Sequence, residues 1–299
     1  MATIHSARAA AAATNATPSA GHPARVGFRR VAAALVGALC IASAQATTPL
    51  ADQPVFSNTA VPGNLALVLS AEFPTNVSVA HVSNTYASTS IYMGYFDPLK
   101  CYLYSHHATE SLRHFYPDGA ATGQTCAGTK WSGNFLNWAA MQTIDPFRAA
   151  LTGGYRSLDT TSITLLEKAW ASGQGGTGNF PNRNLGSAAL VSASTPLGWT
   201  GLNMRIQGLG NKMRFSRTGD LNAAATTYTG AAGAVDNTVW ELSVRVRVCD
   251  ANAATGPLEP NCTSYPNGGS PIWKPTGLLQ QYADKIRYSA FGYLNGSNI

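Results

Sequence analysis

The residues of this 299-residue chain best suited to covalent or metal chemistry are its five cysteines and six histidines. Cys40 lies in an apolar run near the N-terminus, whereas Cys101, Cys126, Cys249 and Cys262 form an even set further along. In an exported chain, an even set reads as disulfides. Three pairings are open. The local one, Cys101–Cys126 with Cys249–Cys262, is the simplest, because each pair brackets a loop rich in Gly, Pro and Asn. Closing loops of this size contributes about 3 kcal/mol each in the chain-entropy model. The competing chemistry is metal ligation by Cys101 with His106, His107 and His114. Neither Cys-x-x-Cys nor His-x-x-x-His spacing supports it.

Other chemical motifs are weak or missing. Residues 173–178, Gly-Gln-Gly-Gly-Thr-Gly, match G-x-G-x-x-G in form, but a dinucleotide site needs a strand before the glycines and a helix after them. Here a helix is expected before, and Asn179-Phe180-Pro181-Asn182 follow, so the segment reads as a loop. Nucleophile elbows, H-E-x-x-H, P-loops and EF-hand loops are absent from the sequence. The chain therefore reads as a non-enzyme, with no catalytic residue and no cofactor. The alternative is a secreted or periplasmic hydrolase with an unrecognised carboxylate site.

Composition narrows the class further. Hydrophobic residues make up 45% and charged residues only 11%, against roughly 25% charged in an average chain. That excludes charge-driven disorder and charged coiled coils. The formal charge of +6 includes Arg8, Arg25, Arg29 and Arg30 from an acid-free stretch, residues 1–46; without them 16 basic residues face 14 acidic ones. No Lys/Arg run remains, which argues against nucleic acid as a partner. Arg29-Arg30, the apolar run 31–41 and Ala44-Gln45-Ala46 together make residues 1–46 a signal peptide cleaved after Ala46. The run is shorter than the roughly 18 residues of a membrane span. No later stretch is long enough, so an exported chain without a stable membrane span is expected.

The elements that must position these residues follow in order. Residues 47–62, with Pro49, Pro54 and Pro62, are a linker. The nearly continuous apolar run 64–70 suits a strand covered on both faces, the first central strand of an α/β sheet. Residues 83–130 are rich in Tyr, Ser, Thr and Gly without a period. They read as a long disulfide-closed insertion rather than core, and Tyr92, Tyr95, Tyr102 and Tyr104 form a candidate contact surface. A helix starts at Ser132, with Phe135, Leu136, Trp138, Ala139 and Ile144 on one face. Asp145-Pro146 permits a kink or a new helical start, and Gly153-Gly154 stop the element. A second helix is expected over 161–171. A hairpin over 202–206 and 212–215 flanks Gly208-Leu209-Gly210-Asn211. Residues 239–248 alternate as a strand with a wet face of Glu241, Ser243, Arg245 and Arg247. Pro275-Thr276 opens a last helix with Leu278, Leu279, Tyr282 and Ile286 inward, and 288–294 reads as another covered strand.

Several segments resemble one family. Trp131-Ser132-Gly133-Asn134-Phe135-Leu136-Asn137-Trp138-Ala139, with Ile144-Asp145 and Gly153-Gly154-Tyr155-Arg156, is similar to the helix signature of the PilC/PilY1 type IV pilus proteins. Tyr95-Phe96-Asp97-Pro98, Lys100-Cys101-Tyr102, Gly208-Leu209-Gly210-Asn211-Lys212-Met213-Arg214 and Tyr288-Ser289-Ala290-Phe291-Gly292-Tyr293-Leu294 look like the same family. The resemblance implies a protein of the periplasm, outer membrane and pilus tip that promotes pilus extension, twitching motility and surface adhesion, with minor pilins and a host or abiotic surface as partners. It also implies that residues 63–299 are a von Willebrand factor A-like, doubly wound α/β domain with disulfide-closed insertions and a β-hairpin. A C-terminal β-propeller with a calcium loop would lie beyond this chain, and an inactive truncated remnant of such a pilus protein is the other alternative. A domains hold a divalent metal through Asp-x-Ser-x-Ser after the first strand. Here Leu69 is followed by Ser70-Ala71-Glu72-Phe73-Pro74. The leading acid is gone, so a degenerate site near Ser70 and Glu72 with no working metal is expected.

Overall fold

The computed structural model describes residues 62–292 apart from Ala71 and Asp236. The signal peptide over 1–46, the linker up to residue 61 and residues 293–299 lie outside the described residues.

After β1 (Gly63–Val68), the strands β2 (Lys100–Ser105) and β3 (His114–Ala120) form an antiparallel hairpin. β4 (Trp131–Ser132) pairs with β2 and runs straight into α1 (Gly133–Ala140). Ser132 Oγ accepts the Phe135 N–H at 3.3 Å, as its place before the helix predicts. Every residue of α1 is buried, consistent with a segment that carries no charge. α2 (Ile144–Thr152) takes Pro146 in its first turn, where the missing N–H costs nothing. Gly153 ends α2 at φ 83°, and a Cβ there would stand 2.5 Å from the Pro275 carbonyl. Conformation and space both demand glycine.

β5 (Arg156–Asp159) and β6 (Thr164–Glu167) form a hairpin where a helix over 161–171 was expected. The Thr160 hydroxyl accepts the N–H groups of Ser162 and Ile163 at 3.3 and 3.1 Å, and Thr160 N–H donates to Ile163 O at 2.9 Å. Thr and Ser close turns with the same chemistry that caps helices. The β-branched Thr160, Thr161, Ile163 and Thr164 then favour strand.

β7 (Arg183–Leu185), α3 (Ala188–Ser194), β8 (Leu202–Arg205), β9 (Lys212–Ser216) and β10 (Thr226–Thr227) follow, and β8 and β9 make the expected hairpin. The single strand expected over 239–248 is two strands, β11 (Trp240–Ser243) and β12 (Arg245–Val248), parted at Val244. β11 pairs with β9, whereas β12 pairs with β6 and β3, so one alternating run joins two sheets. Its expected wet face is wet only in part, because Ser243 and Arg245 are buried. Arg245 forms ion pairs with Glu110 and Glu167, and Ser243 Oγ donates to Glu110 Oε1 at 2.6 Å. A cation enters a core only with such partners.

β13 (Cys262–Tyr265), β14 (Ile272–Pro275), α4 (Leu278–Gln281) and β15 (Ile286–Phe291) complete the described chain. Four sheets result among the described residues: β4-β2-β3-β12-β6-β5, β10-β11-β9-β8-β7, the β13–β14 hairpin and the parallel pair β1–β15. The core joins the two larger sheets to α1. Trp131, fully buried, lies 6.0 Å from the ring of Phe115 on β3, 5.5 Å from Phe215 on β9 and 6.2 Å from Phe135 on α1.

The architecture is mixed α/β, but pairing in the larger sheets is mainly antiparallel. A doubly wound parallel sheet is not what these strands build. Parallel pairing is confined, among the described residues, to β1–β15, the short β10–β11 and Val246↔Phe115 between β12 and β3. The expected cover on β1 and on the last strand is also corrected, since both β1 and β15 are largely exposed. α4 is a single turn whose Leu278 and Tyr282 face solvent rather than forming a buried stripe. Parallel strands are ordinarily covered on both faces, and nothing among the described residues covers this pair.

Candidate functional site

Both disulfides are present in the local pairing, with Cα–Cα separations of 5.7 Å for Cys101–Cys126 and 5.6 Å for Cys249–Cys262. A buried ion pair connects them. Lys100, beside Cys101, places Nζ 2.9 Å from Glu259 Oε1. The other oxygen of Glu259 accepts the Cys249 N–H at 3.0 Å and lies 3.3 Å from Cys262 Sγ. Cys249, Glu259 and Cys262 are close enough to share an ion. The sulfurs, however, are bonded to each other and Lys100 already neutralises the carboxylate, so the trio fits a staple and not a metal centre. The metal alternative at Cys101 fails likewise: its sulfur is spent, and His106, His107 and His114 sit at the opposite end of the β2–β3 hairpin. His107 Nδ1 accepts the Thr109 N–H at 2.9 Å, and His114 Nδ1 lies 2.7 Å from Leu112 O. Burial lowers the His114 pKa.

The tyrosine-rich segment is the main correction. Tyr92, Tyr95, Tyr102 and Tyr104 are 7, 5, 0 and 8% exposed, so they are core and not a contact surface. Each hydroxyl accepts a backbone N–H: Tyr92 from Ala87 at 3.2 Å, Tyr95 from Tyr155 at 3.2 Å, Tyr102 from Asp97 at 2.8 Å and Tyr104 from Ser243 at 3.1 Å. A buried phenol needs a partner for its polar end, and for Tyr95 and Tyr104 that need ties distant segments together. What this stretch and the residue before it turn outward is Val82, Ile91, Met93 and Leu99, each more than half exposed.

The motif around α1 explains how an irregular segment can be core. Asn134 and Asn137, three residues apart on one face of α1, are fully buried. Asn134 Oδ1 accepts the Tyr92 N–H at 2.8 Å, and its amide donates to Ser90 O at 2.8 Å. Asn137 Oδ1 accepts the Phe96 N–H at 3.1 Å, and its amide donates to Tyr92 O and Phe96 O, both at 2.8 Å. Two side chains thus supply the backbone partners that a strand would otherwise give residues 90–96. Gly133 lets this happen, because a Cβ there would meet Asp97 O at 2.1 Å. Trp138 Nε1 donates to Ser83 O at 2.8 Å, and Arg183 lies 4.6 Å over the Trp138 ring while donating to the carbonyls of Trp138 and His81.

A second buried polar group anchors α2. Asp145 accepts the N–H groups of Gln142 at 2.9 Å and Ala169 at 2.8 Å, and burial raises its pKa despite nearby Lys168. Lys168 donates to Ala169 O and Gly210 O, both at 2.8 Å, and burial pulls its pKa down to about 8. Both groups direct hydrogen bonds at main chain, which is a scaffold's chemistry. Near β1, Ser70 Oγ accepts the Glu72 N–H at 3.3 Å in an exposed turn. The glycine-rich loop 173–178 precedes β7, not a helix.

Sequence reasoning missed the roles of Asn134, Asn137, Asp145 and Lys168. A signal was available for the first pair: two asparagines inside an otherwise apolar helix have to be satisfied by something.

Residues 83–177 match the family model described as "PilY1 homolog, small alpha/beta domain". That stretch carries the asparagine clamp, the four tyrosines and the first disulfide. The chain is similar to a protein named "Type IV pilus biogenesis factor PilY1 homolog" from Xylella fastidiosa (strain Temecula1 / ATCC 700964), with 46% identity over 259 residues, covering 82% of this chain and 21% of that protein. A second protein of the same name and organism is 25% identical over 240 residues, covering 69% of this chain and 15% of its own length. The chain therefore spans about a fifth or less of the relatives it matches. No solved structure matches it. With its signature residues forming the clamp of the matched domain and its likeness to these relatives extending well beyond that domain, the chain belongs to the PilY1 family.

Proposed function

We propose that this chain is the N-terminal part of a type IV pilus biogenesis and pilus-tip adhesion protein, exported to the periplasm, outer membrane and pilus tip. There it supports pilus extension, twitching motility and surface attachment, with minor pilins of the tip complex and a host or abiotic surface as partners. One observation carries this reading: 46% identity, over 82% of the chain, to a protein named a type IV pilus biogenesis factor.

A binding and assembly role, rather than catalysis, is supported by the chemistry above. The buried ionisable groups hold main chain, as Asp145 and Lys168 do, or pair with one another, as Lys100 and Glu259 do, and the cavity beside β14 is lined by one carboxylate, Asp250, where a glycosidase would bring two together. No cofactor is assigned to this chain; calcium would belong to a C-terminal region.

We assign β1 and β15 to an A-domain-like sheet. They pair in parallel over six residues, from Gly63↔Ile286 to Val68↔Phe291, and are bare on both faces. Such an exposed parallel pair has the form of central strands of a larger parallel sheet. The small α/β domain would then be an insertion between two neighbouring strands of that sheet.

The test is a strain lacking the gene. Reduced twitching and attachment, restored by the full-length gene, are expected; normal twitching and attachment would refute the proposal.

A further inference from the structure

Beside the second disulfide, three separate segments enclose a cavity of about 190 Å³. Its walls are the β5–β6 turn, the end of β12 with the residues after it, and β14. We propose that this cavity binds a neutral sugar ring, the residue of a surface glycan. The pocket would do so whether or not the chain serves a pilus.

The charges exclude most other ligands. Arg247 and Asp250 both line the cavity, and Arg247 Nη2 lies 3.3 Å from Asp250 Oδ2. That is the guanidinium's one ion pair among the described residues, so most of its donors remain for a ligand. Lys274 also lines the cavity, but its ammonium is fully engaged with Asp159 Oδ1 at 2.5 Å, Thr164 Oγ1 at 2.9 Å and Thr160 O. An anion at the free donors of Arg247 would lie against the Asp250 carboxylate, and a cation at Asp250 would lie against the guanidinium. A hydroxyl meets neither repulsion, since it accepts from the guanidinium and donates to the carboxylate at once. Two neighbouring hydroxyls match the side-by-side donor and acceptor.

The remaining lining suits the rest of a sugar. Trp273 supplies a half-buried indole, of the kind that packs against an apolar ring face. Ser162 adds a hydroxyl. Asn252 spends its Oδ1 on the Ala254 N–H at 3.1 Å, leaving its NH2 without a protein partner among the described residues. The volume falls below the roughly 300–1,000 Å³ of sites for drug-sized ligands and matches about one ring.

The walls are also fixed before a ligand arrives. Cys249–Cys262 ties the end of β12 to β13, and Lys274 ties β14 to the β5–β6 turn. Cys249 sits at φ 54°, a left-handed conformation that a non-glycine residue keeps only where its surroundings hold it; Glu259 does so through the Cys249 N–H. A preformed site of this kind avoids the ordering cost of binding.

The test uses the oxidised 299-residue chain, titrated with D-glucose, D-galactose, D-mannose, N-acetylglucosamine and N-acetylneuraminic acid, and read by saturation-transfer NMR and tryptophan fluorescence. Saturable binding of at least one neutral sugar is expected, weakened at least tenfold in Arg247→Met and in Trp273→Ala, with Trp273→Phe between wild type and Trp273→Ala. Circular dichroism checks that each variant is folded; should Trp273→Ala fail, Arg247→Met and Ser162→Ala decide. Failure of every neutral sugar to saturate the folded wild-type chain overturns the proposal. So does binding unchanged in the folded variants, or binding of N-acetylneuraminic acid alone, which would mark an anion site.

Discussion

Asn137 makes three hydrogen bonds to main chain from a fully buried position. Replacing it by alanine leaves one N–H and two carbonyls unpaired in the core. Each lost partner costs on the order of 1 kcal/mol or more, so Asn137→Ala should lose about 3 kcal/mol in urea denaturation; a loss under about 0.5 kcal/mol would mean that residues 90–96 hold themselves. The buried tyrosines make a second prediction. Burial raises the pKa of Tyr86, Tyr95, Tyr102, Tyr104 and Tyr228, the last to about 12, from an ordinary 10.0. A group whose pKa is higher in the folded state gives its full stability below pH 10 and loses it as pH rises beyond, because only the unfolded chain can then ionise. Each contributes a slope of up to about 1.4 kcal/mol per pH unit. Tm should fall steeply above pH 10, with the tyrosine absorbance change coinciding with unfolding. Ionisation at pH 10 without unfolding would contradict their burial. At this scale the cysteines were legible because parity and loop length constrain them. The tyrosines were not, because composition does not tell an aromatic on a surface from one in a core.

Elements were legible where local chemistry had a single outcome. Ser132, Pro146 and Gly153 mark helix ends by capping, ring geometry and positive φ, and the structure uses all three. The β8–β9 hairpin likewise follows from two apolar runs around a glycine-rich turn. Local chemistry misled where it served two outcomes, as with Thr160, whose hydroxyl closes a turn at the start of the stretch expected to be helical, although the same hydroxyl chemistry also caps helices. The break at Val244 was hidden because alternation continues through it, while the two halves pair in different sheets. Arg245 occupies that junction, bonded to Glu167 from β6 and to Glu110 from the turn before β3. Arg245→Ala should cost about 3 kcal/mol, toward the low end for a broken buried pair because Glu110 is partly solvated. Urea denaturation measures it, and a neutral result would show that the junction does not depend on the pair.

For the whole molecule, the +6 formal charge overstates the basic character of residues 47–299, which hold 16 basic and 14 acidic residues. Few charges and many Gly, Ser, Thr, Asn and Tyr residues suit a body held by disulfides, asparagine amides and phenols. The parallel pair β1–β15 stands apart from that body in its exposure. In hydrogen exchange, amides of β1 should exchange much faster than those of β2, which is buried along most of its length. Equal protection would mean that β1 is covered in solution. The parallel order of β1 and β15 was not legible, because pairing between strands more than 200 residues apart leaves no local signal. The central claim is that a chain built on this asparagine-clamped, disulfide-stapled domain serves type IV pilus biogenesis. Pilin sheared from the surface of a strain lacking the gene, compared with the complemented strain, tests it most directly. The account predicts a marked loss of surface pilin in the deletion strain with restoration on complementation; equal surface pilin in the two strains would contradict it.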